Sequence, residues 1–347
     1  MENYVTLEPS HPEFLNHLTG RFSPDHIALP VSSMNINSTH EKVTFRILHK
    51  SAVKRPSWAR VLARIFRLDL LTLTLTPPLV VMTAAHAPWS ATNLLATLSL
   101  LLLHGAVYCR NDYIDHMRGV DRLHEKGGSQ VIQKGWLSAS FVQKMYRALL
   151  TAALLLATPI FVSHPEVFAL ALAVALTGVI GYSHLRWGQW HWSLGALAVF
   201  FCLGPFLTLG MSWALGFSAI APFIVVGIYF GVVALLTVEV RHSICLIVDD
   251  TAGLTTLPVR IGFDRTKKVL NFLLLCAALL LGLSLISLGV PPWLGLSALP
   301  FWIWMFLLGK RISRVTSPLS SNLYELPAHI LRLHLWSGLY LSLIQIL

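Results

Sequence analysis

"AVYCRNDYIDHMRGVDRLHEKGGSQ", residues Ala106–Gln130, continues an apolar stretch from Ala91 to Val107 in which His104 is the sole ionisable side chain. Arg110, Asp112, Asp115, Arg118, Asp121 and Arg122 then follow within a few turns of chain. About 20 apolar residues cross a bilayer as a helix. The quoted stretch therefore reads as a membrane helix emerging into a charged loop. Loops at a membrane surface are commonly charged, so composition alone decides nothing here and the spacing has to be read.

Asn111, Asp112 and Asp115 stand at i, i+1 and i+4. On a helix continuing the apolar stretch, Asp112 and Asp115 lie one turn apart, and Asn111 shares a face with Asp115. Asp121 lies nine residues past Asp112, which an unbroken helix turns to the opposite side. Gly119 supplies a break that lets Asp121 fold back. Carboxylates gathered in this way repel one another unless a cation or a proton compensates. Mg2+ is commonly held by one or two carboxylates together with substrate phosphates. Arg110, Arg118, Arg122, Lys126 and Lys134 suit diphosphate oxygens, and "KGGSQ" offers a turn rich in backbone donors. The same loop also reads as a solvated segment with internal ion pairs, and spacing alone leaves both readings open.

The whole chain agrees with a membrane setting. Its 347 residues are 55% hydrophobic and 12% charged, with a mean hydropathy of +0.65; a soluble domain is about a quarter charged. The net charge of +10 then reflects loops facing anionic headgroups, and nucleic acid is not an expected partner. Cys109, Cys202, Cys245 and Cys276 form no CxxC pair, so neither a disulfide framework nor a zinc site is read. Residues 1–60 lack the apolar core of a cleavable signal peptide. They read as a cytoplasmic N-terminal extension, with "SSMNINSTHEK" a polar loop, ahead of a transmembrane domain over 61–347.

Hydropathy places spans at roughly 68–85, 91–109, 148–163, 167–182, 193–211, 217–238, 269–289, 293–309 and 328–347. The expected fold is an all-α, multi-pass bundle of about nine transmembrane helices with a cytoplasmic N-terminus. Lys and Arg fall in alternate connections: Lys42 to Arg67, Arg110 to Arg147, Arg186, Arg241 to Lys268, and Lys310 to Arg314. The intervening connections "HAPWS", "SHPE", "MSWALG" and "GVPPW" contain neither. Trp89, Trp213 and Trp293 mark one surface, and Trp136, Trp187, Trp190 and Trp192 the other, as an aromatic belt does.

A second charged segment, "EVRHSICLIVDDTAGLTTLPVRIGFDRTKK", begins at Glu239. On a helix, Glu239, His242, Cys245 and Asp249 share one face, with Asp250 at its edge. Ionisable groups on one face of a membrane helix are a functional signal. Gly253 ends that helix, and Arg260, Arg265, Lys267 and Lys268 follow. A transition metal would want a second histidine at a matching offset, which the segment lacks. Two acidic segments flanked by bases, over an apolar bundle, suit a ligand with a diphosphate head and a hydrocarbon tail.

At these residues the chain resembles the UbiA superfamily of membrane prenyltransferases. "NDYIDHMRGVD" is similar to the family's first aspartate-rich motif. The Asp placed after a Gly, with "GGSQVIQKGWLS", is similar to the branch that prenylates 1,4-dihydroxy-2-naphthoate in menaquinone synthesis. "LGALAVFFCLGPFLTLG" and "DDTAGLTTLPVRIG" resemble the fifth-helix segment and the tail of the second motif. The likeness runs from about Arg64 to Leu347.

The resemblance implies Mg2+ as cofactor and a prenyl diphosphate and a small aromatic acceptor as partners within the lipid bilayer. It implies catalytic and metal roles for Asp112, Asp115 and Asp249, with Asp250 as a further metal ligand. Asn111, Arg118, Asp121, Arg122, Lys134, Glu239 and His242 are the implied substrate-binding set, and Tyr108, Tyr113 and Tyr182 are cavity candidates. The site is expected on the cytoplasmic side of an inner or plasma membrane. Three positions depart from the family pattern: Cys245 replaces an Asp, Leu254 replaces a Lys, and Ala196 stands where the naphthoate branch carries an acid. The expected activity is transfer of the prenyl group to an aromatic acceptor. A UbiA-type terpene cyclase, acting without an acceptor, is the alternative, and a non-catalytic lipid-binding or transport protein is the third reading.

Overall fold

The computed structural model describes residues 3–34, 41–87, 90–123, 128–181, 192–217 and 220–346, with backbone alone at 122–123, 179–181 and 192–194. The described chain forms two compact units, Met1–Asp69 with Leu102–Ala152, and Leu70–Leu101 with Ala153–Leu347.

The chain is not all-α. In the first unit β1 (Asn3–Leu7), α1 (Phe14–Thr19), β2 (His26–Met34) and β3 (Lys42–His49) precede α2 (Trp58–Ile65). The strands pair antiparallel in the order β1-β3-β2. Val43, Phe45 and Ile47 alternate with Thr44 and Arg46 along β3, the two-residue period that turns one face of a strand inward. That face packs with Leu7, Phe14, Leu18, Ala28 and Phe22 into a small core, which Met117 joins. A bulge between Pro30 and Ser32 interrupts the β2 ladder, as a proline that cannot donate to a strand partner requires.

Helices follow in the order α3 (Leu71–Ala84), α4 (Ala91–Arg118), α5 (Val120–Leu123), α6 (Ala139–Ser163), α7 (Pro165–Val174), α8 (Trp192–Cys202), α9 (Pro205–Ala214), α10 (Ala221–Thr251), α11 (Leu257–Ile261), α12 (Phe263–Ser287), α13 (Pro292–Gly295), α14 (Leu299–Arg314) and α15 (Ser321–Leu343). Each span read from hydropathy overlaps helix among the described residues, with 193–211 and 293–309 each divided between two helices. Six helices among the described residues are long and apolar enough to cross a membrane, and the broken pair Trp58–Ile65 and Leu68–Ala84 makes a seventh if it counts as one span. The protein is an integral membrane protein. Pro165–Gly178 is apolar but short, and α15 carries Glu325, His329, Arg332 and His334 among its apolar residues.

In the second unit α10 is the central helix, packed against α12, α9, α8 and α15. Val226, Tyr229, Phe230, Val233 and Leu236 fill its contacts with Leu270, Leu274 and Leu333. Close backbone approach is built from small residues: a Cβ added to Gly227 would meet the Pro205 Cα at 2.6 Å, and one on Gly231 the Phe200 carbonyl at 2.6 Å. Small residues let membrane helices approach this closely.

Candidate active site

α4 runs without a break from the apolar stretch through Asn111, Asp112 and Asp115 to Arg118. Gly119 then takes a left-handed conformation, φ +79°, and donates its N–H to the His116 carbonyl at 3.1 Å. This is the expected helix break. It starts α5, which carries Asp121.

All three carboxylates are buried: Asp112 is 3% exposed, Asp115 8% and Asp121 4%. Charge buried at that depth is costly without compensation, and the segment from Gly128 to Gln133 supplies part of it. The Ser129 N–H donates to Asp112 Oδ1 at 3.3 Å. The Gln133 amide donates to Asp121 Oδ2 at 3.2 Å. Gly128, with φ +55°, lies so close that a Cβ there would stand 2.8 and 2.9 Å from the two Asp121 oxygens. Asp112 Oδ2 is different: it is buried and, among the described residues, accepts no hydrogen bond.

Arg67 acts electrostatically on Asp112. Its backbone sits at φ +48°, an unusual conformation for a long side chain, and its Nε is buried without a partner. Arg67, Gln133 and the Ser129 N–H are site residues that sequence reading did not single out. Arg67 precedes the first apolar run and carries no local signal of its own. The Ser129 donor was foreshadowed only by the general promise of "KGGSQ".

Other expected residues are placed as follows. Asn111 and Arg118 are half-buried, and Arg118 lies within electrostatic reach of Asp115 and Arg110. Lys134 is exposed, its ammonium 5.2 Å from the Trp136 ring centre. The side chain of Arg122, and Lys126 and Tyr182 entirely, lie outside the described residues. Tyr113 Oη accepts from the Gln143 amide at 3.1 Å, and Tyr108 packs edge-on to His104 with ring centres 4.7 Å apart.

The second motif lies at the end of α10. Glu239 is 2% exposed, and His242 Nδ1 is 3.4 Å from its Oε2. Asp249 is 4% exposed and accepts from the Thr256 hydroxyl at 3.2 Å, another contact that sequence reading missed. Gly253, at φ +70°, closes the helix with Gly253 N–H to the Asp250 carbonyl at 3.0 Å and Leu254 N–H to the Asp249 carbonyl at 2.8 Å. This is a glycine C-terminal cap, and it fixes where Asp249 sits. Asp250 is exposed, about 100° further round the helix, so the burial separates the two neighbours. Cys245 is half-buried.

Among the described residues, no three His, Cys, Asp or Glu side chains gather as a metal-binding group. A hard cation held by one or two carboxylates plus phosphate oxygens needs no such group. The orphaned, buried oxygen of Asp112 and the all-oxygen donor set fit that mode.

The UbiA prenyltransferase family matches residues 70–324, well over half of the chain. The chain belongs to the UbiA prenyltransferase family. No curated protein matches it. Among solved structures it is similar to a UbiA homologue from Archaeoglobus fulgidus bound to GPP and Mg2+, with 20% identity and a TM-score of 0.59 over 81% of this chain and 99% of that one. A UbiA homologue from Aeropyrum pernix K1 in its apo form gives 14% identity and a TM-score of 0.56, covering 79% and 98%. A digeranylgeranylglyceryl phosphate synthase gives 15% and 0.55, covering 82% and 98%. At these identities the likeness establishes a shared UbiA fold. The family match takes in both acidic motifs and begins after the sheet of residues 3–49.

Proposed function

We propose that this UbiA-family protein transfers a prenyl group from an allylic prenyl diphosphate to an aromatic acceptor of the 1,4-dihydroxy-2-naphthoate type. The observation that carries the proposal is Asp112: a buried carboxylate with one oxygen held by the Ser129 N–H and the other unpartnered among the described residues. A group so costly to bury points to a ligand that completes it. Family membership and the "NDYIDHMRGVD" motif make a prenyl diphosphate the natural choice. The A. fulgidus homologue, solved with GPP and Mg2+, supports the same choice.

In this reading Asp112 and Asp115 of the first motif, and Asp249 of the second, are the residues that would hold Mg2+. Asp250, exposed beside Asp249, would be a further ligand. Bound Mg2+ would supply Lewis-acid neutralisation of the leaving diphosphate. Asn111 and Asp121 orient the diphosphate. Arg118 and Lys134, with Arg122 between them in sequence, take up negative charge as the allylic C–O bond breaks, since charge is best stabilised where it develops. Glu239 and His242 form a polar pair beside Asp249 and contact the substrate. The apolar helices exclude water from the carbocation. An electron-rich carbon of the acceptor then forms the new C–C bond and loses its proton. The basic connections and tryptophans support nine spans, a cytoplasmic N-terminus and a site on that side.

Cys245 and Ala196 favour one second reading, a cyclase in which the substrate's own double bond captures the cation. Diphosphate release by the lipid-embedded protein separates the two. Farnesyl and geranylgeranyl diphosphates are supplied with Mg2+, with and without a dihydroxynaphthoate, against Asp112→Ala. Release that needs the acceptor and yields a prenylated aromatic supports the transferase. Release without acceptor, with a cyclic product, replaces it by the cyclase. Wild type matching the Asp112→Ala blank refutes both.

A further inference from the structure

The first aspartate motif is tied to the N-terminal sheet by three side-chain hydrogen bonds that form one path. His116, buried at 1% exposed, lies between the Leu18 carbonyl, 2.9 Å from Nε2, and the Gln133 amide nitrogen, 3.4 Å from Nδ1. The same amide nitrogen is 3.2 Å from Asp121 Oδ2. The Leu18 carbonyl belongs to the last turn of α1, where carbonyls lack partners within the helix.

With the imidazole neutral, the donors and acceptors along this path fit a simple assignment. A carbonyl only accepts, so Nε2 carries the proton and Nδ1 is left with a lone pair. Gln133 therefore donates one amide hydrogen to Nδ1 and the other to the Asp121 carboxylate. Rotating the amide by half a turn would set its oxygen against a lone pair and an anion at once, so both neighbours hold the side chain in one orientation. Gly128 walls the other side of the Asp121 carboxylate.

Packing fastens the same junction. Met117, next to His116, is part of the sheet's core. A Cβ on Gly20 would meet the Ser138 Cβ at 2.9 Å, and one on Gly135 would meet the Leu29 side chain at 3.1 Å. The N-terminal segment is thus wedged against residues 135–138, immediately after the segment that holds both Asp112 and Asp121.

We infer that the N-terminal sheet module orients the first aspartate motif through Leu18, His116 and Gln133, which makes His116 and Gln133 positioning residues for diphosphate binding at Asp121. This rests on the diphosphate role proposed for Asp121. A carboxylate fixed before substrate arrives loses less freedom on binding, so loss of the path weakens binding more than turnover.

The test uses the full chain in lipid, with geranylgeranyl diphosphate as substrate and amide hydrogen exchange of the substrate-free protein as an independent readout. Gln133→Leu keeps volume and removes both donors. Gln133→Glu keeps shape and turns a carboxylate toward Asp121. Each is expected to raise KM about tenfold with kcat within about twofold, the scale of one hydrogen bond to a charged group. Each should also speed exchange at residues 128–133. Gln133→Leu added to Asp121→Asn should be no worse than Asp121→Asn alone. His116→Asn keeps an acceptor near Gln133 but no longer reaches Leu18, and should speed exchange at 14–20 and 128–133 together.

Multiplying KM effects in the double variant overturn the path from Gln133 to Asp121, as does unchanged exchange at 128–133. Faster exchange at 14–20 alone in His116→Asn removes the sheet's part in it. If Asp121→Asn leaves KM unchanged, the diphosphate role of Asp121 falls. The exchange data then decide the path alone, with faster exchange upholding it and unchanged exchange overturning it.

Discussion

Asp112→Asn should make the ligand-free protein more stable while it destroys function. The wild-type carboxylate is 3% exposed, accepts from the Ser129 N–H at 3.3 Å, and, among the described residues, leaves Oδ2 without a partner. A buried polar atom left unpaired costs about 1–3 kcal/mol, and more when it is charged. Arg67 offsets part of that cost. Asparagine has the same shape, keeps an acceptor for Ser129 and removes the charge, so a gain of about 1–2 kcal/mol is expected. An unfolding entropy near 2.1 cal/mol/K per residue turns this into a Tm increase of about 1–3 °C for a chain of this length. Adding Mg2+ with a non-hydrolysable prenyl diphosphate analogue at about 100 times Kd should stabilise the wild type by roughly 2.7 kcal/mol. The variant should gain far less, so the order of the two melting curves inverts. Diphosphate release should fall by about 100-fold or more. The measurement is thermal unfolding in detergent with and without ligand, run beside the release assay. A variant less stable than wild type without ligand, or one with an equal ligand-induced shift, would refute the reasoning.

Four further substitutions probe separate parts of the structure. Gly128→Ala combines a left-handed backbone with a Cβ 2.8 Å from Asp121; a loss of about 1–3 kcal/mol is expected from strain, and KM for the diphosphate should rise while the circular dichroism stays helical. Thr256→Val removes the bond to Asp249 and should raise the Mg2+ concentration for half-maximal release about three- to tenfold, read from a metal titration. Cys245→Asp puts a hard ligand one turn before Asp249 and should lower that same concentration, because a thiol is a poor partner for Mg2+. Tyr229→Phe loses a 2.6 Å bond to Ser337 in the core and should cost about 1 kcal/mol in thermal stability, leaving KM and kcat unchanged.

Hydropathy made the helices legible because a bilayer imposes one length and one chemistry on everything that crosses it. It did not give their ends. The span read at 217–238 is only the apolar part of α10, which runs on to Thr251 and carries Glu239, His242 and Asp249 with it. Helix spacing also placed Asp112 and Asp115 together, and glycine chemistry gave the break at Gly119. Both are local rules. Asp249 and Asp250 look equivalent in sequence, yet one is buried against Thr256 and the other is exposed. Helix phase put Asp250 at the edge of the face that carries Asp249, but the Thr256 contact comes from the loop after the Gly253 cap, which no helical wheel contains.

The N-terminal sheet was hidden for a different reason. Val43, Phe45 and Ile47 alternate as a strand should, but five to nine residues of alternation inside a mixed, basic segment compete poorly with runs of twenty apolar residues. Three short strands are marginal unless a face is buried, and here α1 and Met117 complete that burial. Met117 lies within the aspartate motif itself. The motif's sequence therefore answers to two demands, since Asp112, Asp115 and Asp121 carry charge while His116 and Met117 between them fasten a separate module. A family pattern built from the charged positions explains the first demand alone. The residues between the aspartates meet the second, through the His116 bond to Leu18 and the packing of Met117 in the sheet's core.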